Sequence, residues 1–234
     1  MAIRPIFIPL IDKSPYVKEV NVEFKWFPGF AKSQAQKSIE SLHAAAAKQG
    51  ISPVLEISSQ SPDDHGVALS AFNLKLHPQN HPNLSVECAF QGSKVFANGK
   101  QYTDLYDVSS KEAKKDPRLH NSGDVVAFIC FGIEFPTHPI TVFYDWLYLL
   151  ALKQNKTIAQ QLLSYQGFSD IKFNPKKSFN CQARSAALFV ALTNNGLIEE
   201  TWEDKDTFLR IVTSVNNDVS GSIEATQSDY FGKI

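Results

Sequence analysis

The chain has 234 residues, of which 43% are hydrophobic and 20% are charged. These values are typical of a globular domain and exclude a largely disordered, collagenous or fibrous chain. The 23 basic and 24 acidic residues leave a formal net charge of −1. This balance excludes a protein that coats nucleic acid through bulk electrostatics, but it allows a local basic pocket.

The cysteines and the N-terminus indicate a compartment. Cys88, Cys130 and Cys181 are far apart and odd in number, which favours buried thiols in a reducing cytosol over a disulfide framework. Pro5 and Pro9 interrupt the N-terminal apolar run, unlike a signal peptide. No apolar run reaches the roughly 18 residues that a membrane-spanning helix needs. We therefore predict a cytoplasmic protein without a membrane segment.

The first half of the chain predicts strands, helices and turns in alternation. Apolar and polar residues alternate over residues 20–26, which predicts a strand. Helical apolar spacing predicts a helix over residues 32–49, which Ser33 can cap and Gly50 ends. A short strand, a turn, a proline-rich loop and a helix are then predicted at residues 54–58, 63–66, 77–83 and 85–96.

The second half is mostly helical. One buried β-rich strand is predicted at residues 125–133. The tail after Thr213 is rich in Ser, Asn, Asp and Gly, which is typical of a loosely held end. Because helices dominate and the strands are scattered, we predict an α+β fold, a mainly helical single domain with a small β-sheet. The helices of this half are predicted at residues 110–115, 140–154, 157–165 and 178–194.

The most informative polar pattern lies in residues 85–94. Glu87, Gln91 and Lys94 are spaced at i, i+4 and i+7, so on a helix they share one face. A face of this kind is either an ordinary solvated surface or the wall of a site. Gly92 favours the second interpretation, because a glycine within a helix often marks a close approach by another group.

Two further segments carry candidate ligand-binding residues. In residues 69–73, Ser70 and Asn73 flank Phe72, so the polar groups can bind a ribose or phosphate while the ring stacks; the alternative is an ordinary turn. Residues 168–184 supply Asp170 as a second carboxylate, and their Asn, Ser, Lys and Arg side chains can bind phosphate. The alternative for this segment is a solvated basic turn before a helix.

Several familiar signatures are missing from the sequence. It contains no dinucleotide-binding fingerprint, no P-loop and no serine nucleophile elbow. His77 and His81 are four residues apart, but they fall in a proline-broken loop rather than on a helix, and no cysteine pair accompanies them. We therefore predict no metal site.

Together these segments resemble the NADAR family, and more closely its branch of antitoxins to DarT-type DNA ADP-ribosyltransferases. The similarity spans about residues 4–197. Three of its motifs, at residues 24–26, 32–39 and 42–43, are particular to the antitoxin branch. The motifs shared with the wider family are residues 69–73, residues 85–87 with Gln91 and Lys94, residues 143–146 and residues 168–183.

The resemblance implies a NADAR fold and a hydrolase that removes ADP-ribose from the amino group of guanine in DNA. ADP-ribosylated DNA is then the substrate, ADP-ribose is the product, a DarT-type toxin is a possible partner, and no cofactor is needed. It also implies one domain over residues 1–234. Within it, residues 1–50 form an extension particular to the branch, and residues 213–234 form the loosely held tail.

For this reaction we assign Glu87 as general acid/base, with Asp170 positioning water or the ribose hydroxyls. Lys94 is either an amine nucleophile that forms a Schiff base or a charge stabiliser; without a Schiff base, the ribose leaves as an oxocarbenium-like species that water attacks. A nucleophilic lysine has to be neutral, and ionised Glu87 opposes that. The residues expected to bind the ADP-ribose and guanine are Ser70, Phe72, Asn73, Gln91, Ser93, Asp145, Trp146, Asn174, Lys177 and Asn180.

Two other functions remain open at this point. The protein can neutralise a toxin without catalysis, by binding it through the helix at residues 32–49. It can also be an N-glycosidase that acts on a free ADP-ribosylated or riboflavin-pathway metabolite, as other NADAR members suggest.

Overall fold

The computed structural model describes residues 1–12, 15–176 and 178–213, and two small sheets organise them. The predicted tail beyond Thr213 and the candidate Lys177 lie outside the described residues. The strands are β1 (Ala2–Pro9), β2 (Val17–Phe24), β3 (Val54–Glu56), β4 (Lys94–Phe96), β5 (Val125–Cys130), β6 (Ile133–Pro136) and β7 (Gly167–Ser169).

Helices make up most of the remaining regular structure, which confirms the predicted α+β class with small sheets. The helix over residues 110–115 has the predicted bounds, because Ser109 and Glu112 form a capping box at its start. The helices are α1 (Lys32–Lys48), α2 (Asp64–Ala68), α3 (Val86–Gly92), α4 (Ser110–Lys115), α5 (Arg118–Asn121), α6 (Val142–Gln154), α7 (Lys156–Gln161), α8 (Gln182–Asn194) and α9 (Lys205–Thr213).

The larger sheet has the strand order β2-β1-β7-β3. Strand β1 runs antiparallel to both of its neighbours, whereas β3 and β7 are parallel. Helix α1 covers one face of this sheet, since Ile39 and Leu42 pack in one cluster with Ile6, Val22 and Phe24. The N-terminal 50 residues therefore supply two strands and a covering helix to the sheet.

The main core lies on the other side of the sheet and is built around α6 and α8. Ten of the 13 residues of α6 are buried, and so are nine of the 13 residues of α8. A helix that is apolar on all sides is stable only when it is surrounded by protein. The smaller sheet, of order β4-β5-β6, packs its buried Phe128 and Phe135 against the same core.

Several predicted boundaries were wrong. The strand predicted over residues 20–26 ends at Phe24, and the strand predicted over residues 125–133 ends at Cys130, before the separate strand β6. The helix predicted over residues 157–165 ends at Gln161.

Two further helices and a turn also differ from the prediction. The helix predicted over residues 85–96 ends at Gly92, and Lys94 begins strand β4. The helix predicted from residue 178 begins at Gln182. The turn predicted at residues 63–66 is instead the start of α2, which Asp63 caps by accepting a 2.9 Å hydrogen bond from the His65 backbone.

The N-terminal strand β1 and the C-terminal helix α9 were not predicted. Helix α1 begins without a side-chain cap, so the capping role predicted for Ser33 was also wrong. All three cysteines are buried and form no disulfide. Among the described helices, none is long and apolar enough to cross a bilayer.

Candidate active site

A cleft with a cavity of about 240 Å³ lies where the segment after β3, helix α3, helix α6 and the segment between β7 and α8 meet. Its wall is mainly polar and charged, with aromatic rings between the polar groups. The described residues that line the cavity are Ser58, Ser59, Ser70, Ala71, Phe72, Glu87, Phe90, Gln91, Lys94, Lys114, Tyr144, Asp170, Lys172, Ser178, Asn180 and Gln182.

The cleft unites the three segments that the sequence marked separately. All three residues of the predicted polar helical face reach it, although Lys94 does so from a strand rather than from the helix. The predicted site residues that line the cavity are Ser70, Phe72, Glu87, Gln91, Lys94, Asp170 and Asn180.

Helix α3 holds Glu87 and Gln91 in the wall of the cleft. Both are buried, and the Gln91 Nε2 group donates a 2.8 Å hydrogen bond to Glu87 Oε1. Lys114 Nζ lies 4.0 Å from the other carboxylate oxygen of Glu87. Gln91 Oε1 is buried and has no hydrogen-bond partner among the described residues. A buried acceptor left free in this way is costly unless a ligand or water satisfies it.

Lys94 is half-buried, and its Nζ lies 5.0 Å from the centroid of the Phe90 ring. Burial lowers the pKa of Lys94 to about 8, an effect that Glu87 opposes and Lys114 reinforces. The usual pKa of a lysine is 10.5, at which almost all of the amine is charged at neutral pH. With a pKa of about 8, a minority of the Lys94 amine is neutral at pH 7 and half is neutral near pH 8.

Asp170 lies at the base of the cleft and is bound by the loop that follows it. Its Oδ1 accepts hydrogen bonds from the Lys172 and Phe173 backbones at 2.9 and 3.2 Å, and its Oδ2 accepts one from Gln182 Nε2 at 2.9 Å. Burial raises the pKa of Asp170. These bonds fix the carboxyl group, and they shape the loop that carries the rest of the wall.

A second buried carboxyl group, Glu56, lies next to Asp170. Glu56 accepts hydrogen bonds from Ser58 Oγ at 2.7 Å, Ser169 Oγ at 2.5 Å and the Ile171 backbone at 2.9 Å. Burial and the neighbouring Asp170 raise the pKa of Glu56 to about 7. At neutral pH this pair therefore favours one protonated and one ionised carboxyl group over two ionised groups.

The hydrogen bonds of Glu56 continue outward to helix α1. His43 Nε2 lies 2.8 Å from Ser169 Oγ, which itself donates to Glu56. Burial lowers the pKa of His43 to about 4, so this imidazole is neutral at ordinary pH. A continuous chain thus runs from His43 through Ser169 and Glu56 to Ser58 in the cavity wall.

Asp145 and Trp146 were predicted to bind ADP-ribose, but their side chains are engaged elsewhere. Asp145 forms an ion pair with Arg184 and accepts a 2.6 Å hydrogen bond from Ser185, away from the cavity lining. Trp146 packs in the core against Phe135, with ring centroids 4.8 Å apart. Both residues lie on α6, which contributes Tyr144 to the cleft instead.

Three other predicted binding residues also lie outside the cavity lining. Asn73 is turned toward the Val67 carbonyl, to which its Nδ2 donates at 2.9 Å. Ser93 is buried and donates to the Ala89 carbonyl at 2.7 Å. Asn174 caps its own turn by accepting a 3.1 Å bond from the Lys176 backbone. In each case the polar side chain forms a hydrogen bond with a nearby backbone group.

The sequence did not single out Lys114, Tyr144 or Glu56 as site residues. Tyr144 lies within the family motif at residues 143–146, so that motif carried a signal. Lys114 reaches the cleft because α4 packs on α3, and Glu56 lies next to the cleft residue Asp170 because β3 pairs with β7. These contacts join segments that are far apart in the sequence, so no local sequence pattern predicts them. No group of three or more His, Cys, Asp and Glu side chains is arranged to hold a metal ion within the described ranges.

An α+β fold with a polar cleft formed by these motifs defines a protein of the NADAR class. The profile of the DarT1-associated NADAR antitoxins matches residues 2–221. The chain therefore belongs to the DarT1-associated NADAR antitoxin family, as the sequence resemblance indicated. A search of curated proteins gave no match.

Proposed function

We propose that the protein is an ADP-ribosyl glycohydrolase that removes ADP-ribose from the amino group of guanine in DNA and so reverses the action of a DarT-type toxin. The observation that carries this proposal is a half-buried lysine of lowered pKa, Lys94, in the same cavity as Glu87. An amine that is neutral near physiological pH is a competent nucleophile, and a neighbouring carboxyl group can move the protons.

The free polar groups of the cleft match the substrate. Gln91 Oε1 and Asn180 Oδ1 are buried acceptors without a partner in the described part of the chain. Ribose hydroxyls and guanine N–H groups are donors that would satisfy them. Lys114 and Lys172 provide positive charge for the diphosphate, and the Phe72 ring, 5.4 Å from Lys114 Nζ, offers a surface for stacking.

The imine route uses these groups in sequence. Glu87 first takes a proton from the Lys94 ammonium, which leaves the amine neutral. Glu87 then gives this proton to the ring oxygen as the C1′–O bond breaks, and the guanine nitrogen forms an imine with C1′. The Lys94 amine adds to C1′ and expels the guanine amine, which leaves a lysine imine. Water then hydrolyses this imine, and the released aldehyde closes to ADP-ribose. The lowered pKa of Lys94 supports this route, because only the neutral amine can attack C1′.

In the oxocarbenium route the same residues have different roles. Glu87 would protonate the leaving guanine while water adds directly to C1′. Charged Lys94 would lie beside a cationic sugar, which is unfavourable, so neutral Lys94 suits this route as well. The two routes differ in whether a covalent bond to Lys94 forms.

The test is removal of ADP-ribose from an oligonucleotide that carries one ADP-ribosylated guanine, followed by separation of the modified and unmodified strands. We expect Glu87→Gln and Lys94→Ala each to lose at least about 100-fold in rate. Glu134→Gln and Lys115→Ala remove the same charges from exposed positions and should retain full activity. Borohydride should trap a covalent adduct on Lys94 if the imine forms.

Other outcomes favour the alternatives. Full protection of cells by the inactive Glu87 and Lys94 variants would favour an antitoxin that acts by binding the toxin. Activity on free ADP-ribosylated nucleotide but none on the oligonucleotide would favour the metabolite glycosidase. Wild-type protein that is inactive on both substrates would falsify the proposed hydrolase.

A further inference from the structure

We infer that Arg4, Lys25, Trp26, Phe27 and Phe30 form a platform that binds the single-stranded DNA next to the modified guanine. We call this set the aromatic platform. The inference rests on the proposed function, because it concerns how the same cleft receives a polymer rather than a free nucleotide.

The first observation is the exposure of the rings. Trp26 is 37% exposed and Phe30 is completely exposed, whereas most of the large apolar side chains of the described residues are buried. Both belong to a stretch of five residues, 26–30, that contains three aromatic residues. Residues 25–32 also include Lys25 and Lys32 but no acidic residue. An exposed aromatic and cationic stretch of this kind suits an anionic partner with flat rings.

The second observation is that cations already lie over the rings. The Arg4 guanidinium carbon is 5.6 Å from the centroid of the Trp26 ring, and Lys25 Nζ is 4.9 Å from that of Phe27. Proteins that bind single strands combine ring surfaces for the bases with cations for the phosphates.

The third observation connects the platform to the cleft. Arg4 Nε approaches the Ile171 carbonyl at 3.5 Å. Ile171 lies between Asp170 and Lys172, and both of these line the cavity. Within the cavity the same kind of pair recurs, with Lys114 over Phe72 and Lys94 over Phe90. Cation–aromatic pairs therefore occur both in the cleft and at Arg4, which contacts the segment after β7 that lines the cleft.

The fourth observation is that helix α1 holds the segment in place. Ser41 Oγ accepts a 3.1 Å hydrogen bond from the Lys25 backbone, and Ser38 Oγ accepts a 3.0 Å bond from the Phe27 backbone. Trp26 also contacts the core residue Phe24 edge-on, with centroids 6.2 Å apart. A surface fixed before binding loses less conformational entropy when the strand docks.

The experiment compares two substrates that carry the same adduct: an ADP-ribosylated single-stranded oligonucleotide and ADP-ribosylated guanosine monophosphate. For Trp26→Leu and Phe30→Ser we expect KM for the oligonucleotide to rise about tenfold, with kcat and the nucleotide kinetics unchanged. Trp26→Phe keeps a ring and should restore most of the affinity. Val126→Ser changes an exposed apolar residue of β5 and serves as the control.

A binding measurement makes the test independent of catalysis. Fluorescence anisotropy with an unmodified labelled single strand should show the same order, with Trp26→Phe close to wild type and Trp26→Leu clearly weaker. If wild type cleaves neither substrate but this order holds, the proposed function fails and the platform stands. If every variant binds the strand as wild type does, the platform is overturned.

The same variants distinguish DNA from a protein partner. Leucine keeps an apolar contact but removes the ring, so Trp26→Leu should affect strand binding far more than an apolar protein interface. Loss of capture of a DarT-type toxin by Trp26→Leu, with strand binding unchanged, would assign the surface to the toxin and overturn the inference.

Discussion

Two opposed influences act on the pKa of Lys94. Burial against Phe90 favours the neutral amine, and Glu87 favours the charged one. The sequence indicated the influence of Glu87, because it shows that Glu87 and Lys94 are seven residues apart. It could not indicate burial, or the contribution of Lys114, since both depend on how α4 and β4 pack against α3.

Removal of Lys114 should make Lys94 harder to deprotonate. Lys114 lowers the pKa of Lys94, so Lys114→Met should move the rising limb of the pH–rate profile to higher pH, by on the order of half a unit. Single-turnover rates between pH 6 and pH 9, on either side of the pKa of about 8, measure this shift. Lys115→Met is the control. A wild-type rate that falls as pH rises through 8 would show instead that the charged amine is required.

Gly92 should not tolerate a side chain. A Cβ atom there would lie 2.4 Å from Cε1 of Tyr106, a ring that is buried under β5 and held by Ser93. We expect Gly92→Ala to lower the free energy of unfolding by about 1–3 kcal/mol through overpacking. Chemical denaturation measures the loss, and Tyr106→Leu in the same chain should recover part of it. Unchanged stability of Gly92→Ala would contradict this account.

At the scale of elements, the boundary between α3 and β4 explains both the success and the error of the sequence prediction. The glycine that suggested a close approach does mark one, but the approaching group is Tyr106 rather than a ligand. Helix α3 ends at Gly92, two residues before Lys94. Lys94 still reaches the cleft, because strand β4 begins directly beside the end of the helix.

Strand β1 was not predicted, and it contains two prolines, which are unusual within a strand. Pro5 and Pro9 cannot donate backbone hydrogen bonds, which normally excludes them from the middle of a sheet. Here β1 pairs with β7 only at Phe7 and Phe168, while β2 pairs with its whole length. The sparse pairing with β7 makes the prolines tolerable, and only the tertiary structure reveals it.

The buried carboxyl group between β3 and β7 should make stability depend on pH. Folding raises the pKa of Glu56 from 4.5 to about 7, so its contribution to stability is present below pH 4.5 and is lost as the pH rises through 7. His43 acts in the opposite direction, since its pKa falls to about 4 and its contribution is lost in acid. Ser169 links Glu56 and His43 through hydrogen bonds, so both effects of pH on stability arise in one buried network.

Glu56→Gln should therefore lose less stability than wild type between pH 5 and pH 7, because its side chain stays neutral. Glutamine can still accept from the Ile171 backbone and can donate to Ser169. Thermal unfolding followed across this pH range measures the difference, with Glu134→Gln as the control. Parallel curves for wild type and Glu56→Gln would mean that the Glu56 carboxyl group does not take up a proton in the folded protein.

At the scale of the whole molecule, the near-zero net charge limits how the protein can use DNA. The cleft contains Lys94, Lys114 and Lys172 and the aromatic platform contains Arg4 and Lys25, so the rest of the chain has more acidic than basic residues. We expect unmodified duplex to bind more weakly than about 10 µM at physiological salt. Anisotropy titrations at several salt concentrations, with plain and ADP-ribosylated strands, measure this preference. Tight, strongly salt-dependent binding of plain duplex would contradict it.

The position of β1 has a consequence for how the protein is made. Strand β1 forms a hairpin with β2, which follows it in the chain, but its other neighbour, β7, is synthesised more than 150 residues after β1. The cleft closes later still, because Asn180 and Gln182 complete its wall. No nascent or truncated chain that stops before Gln182 contains the site.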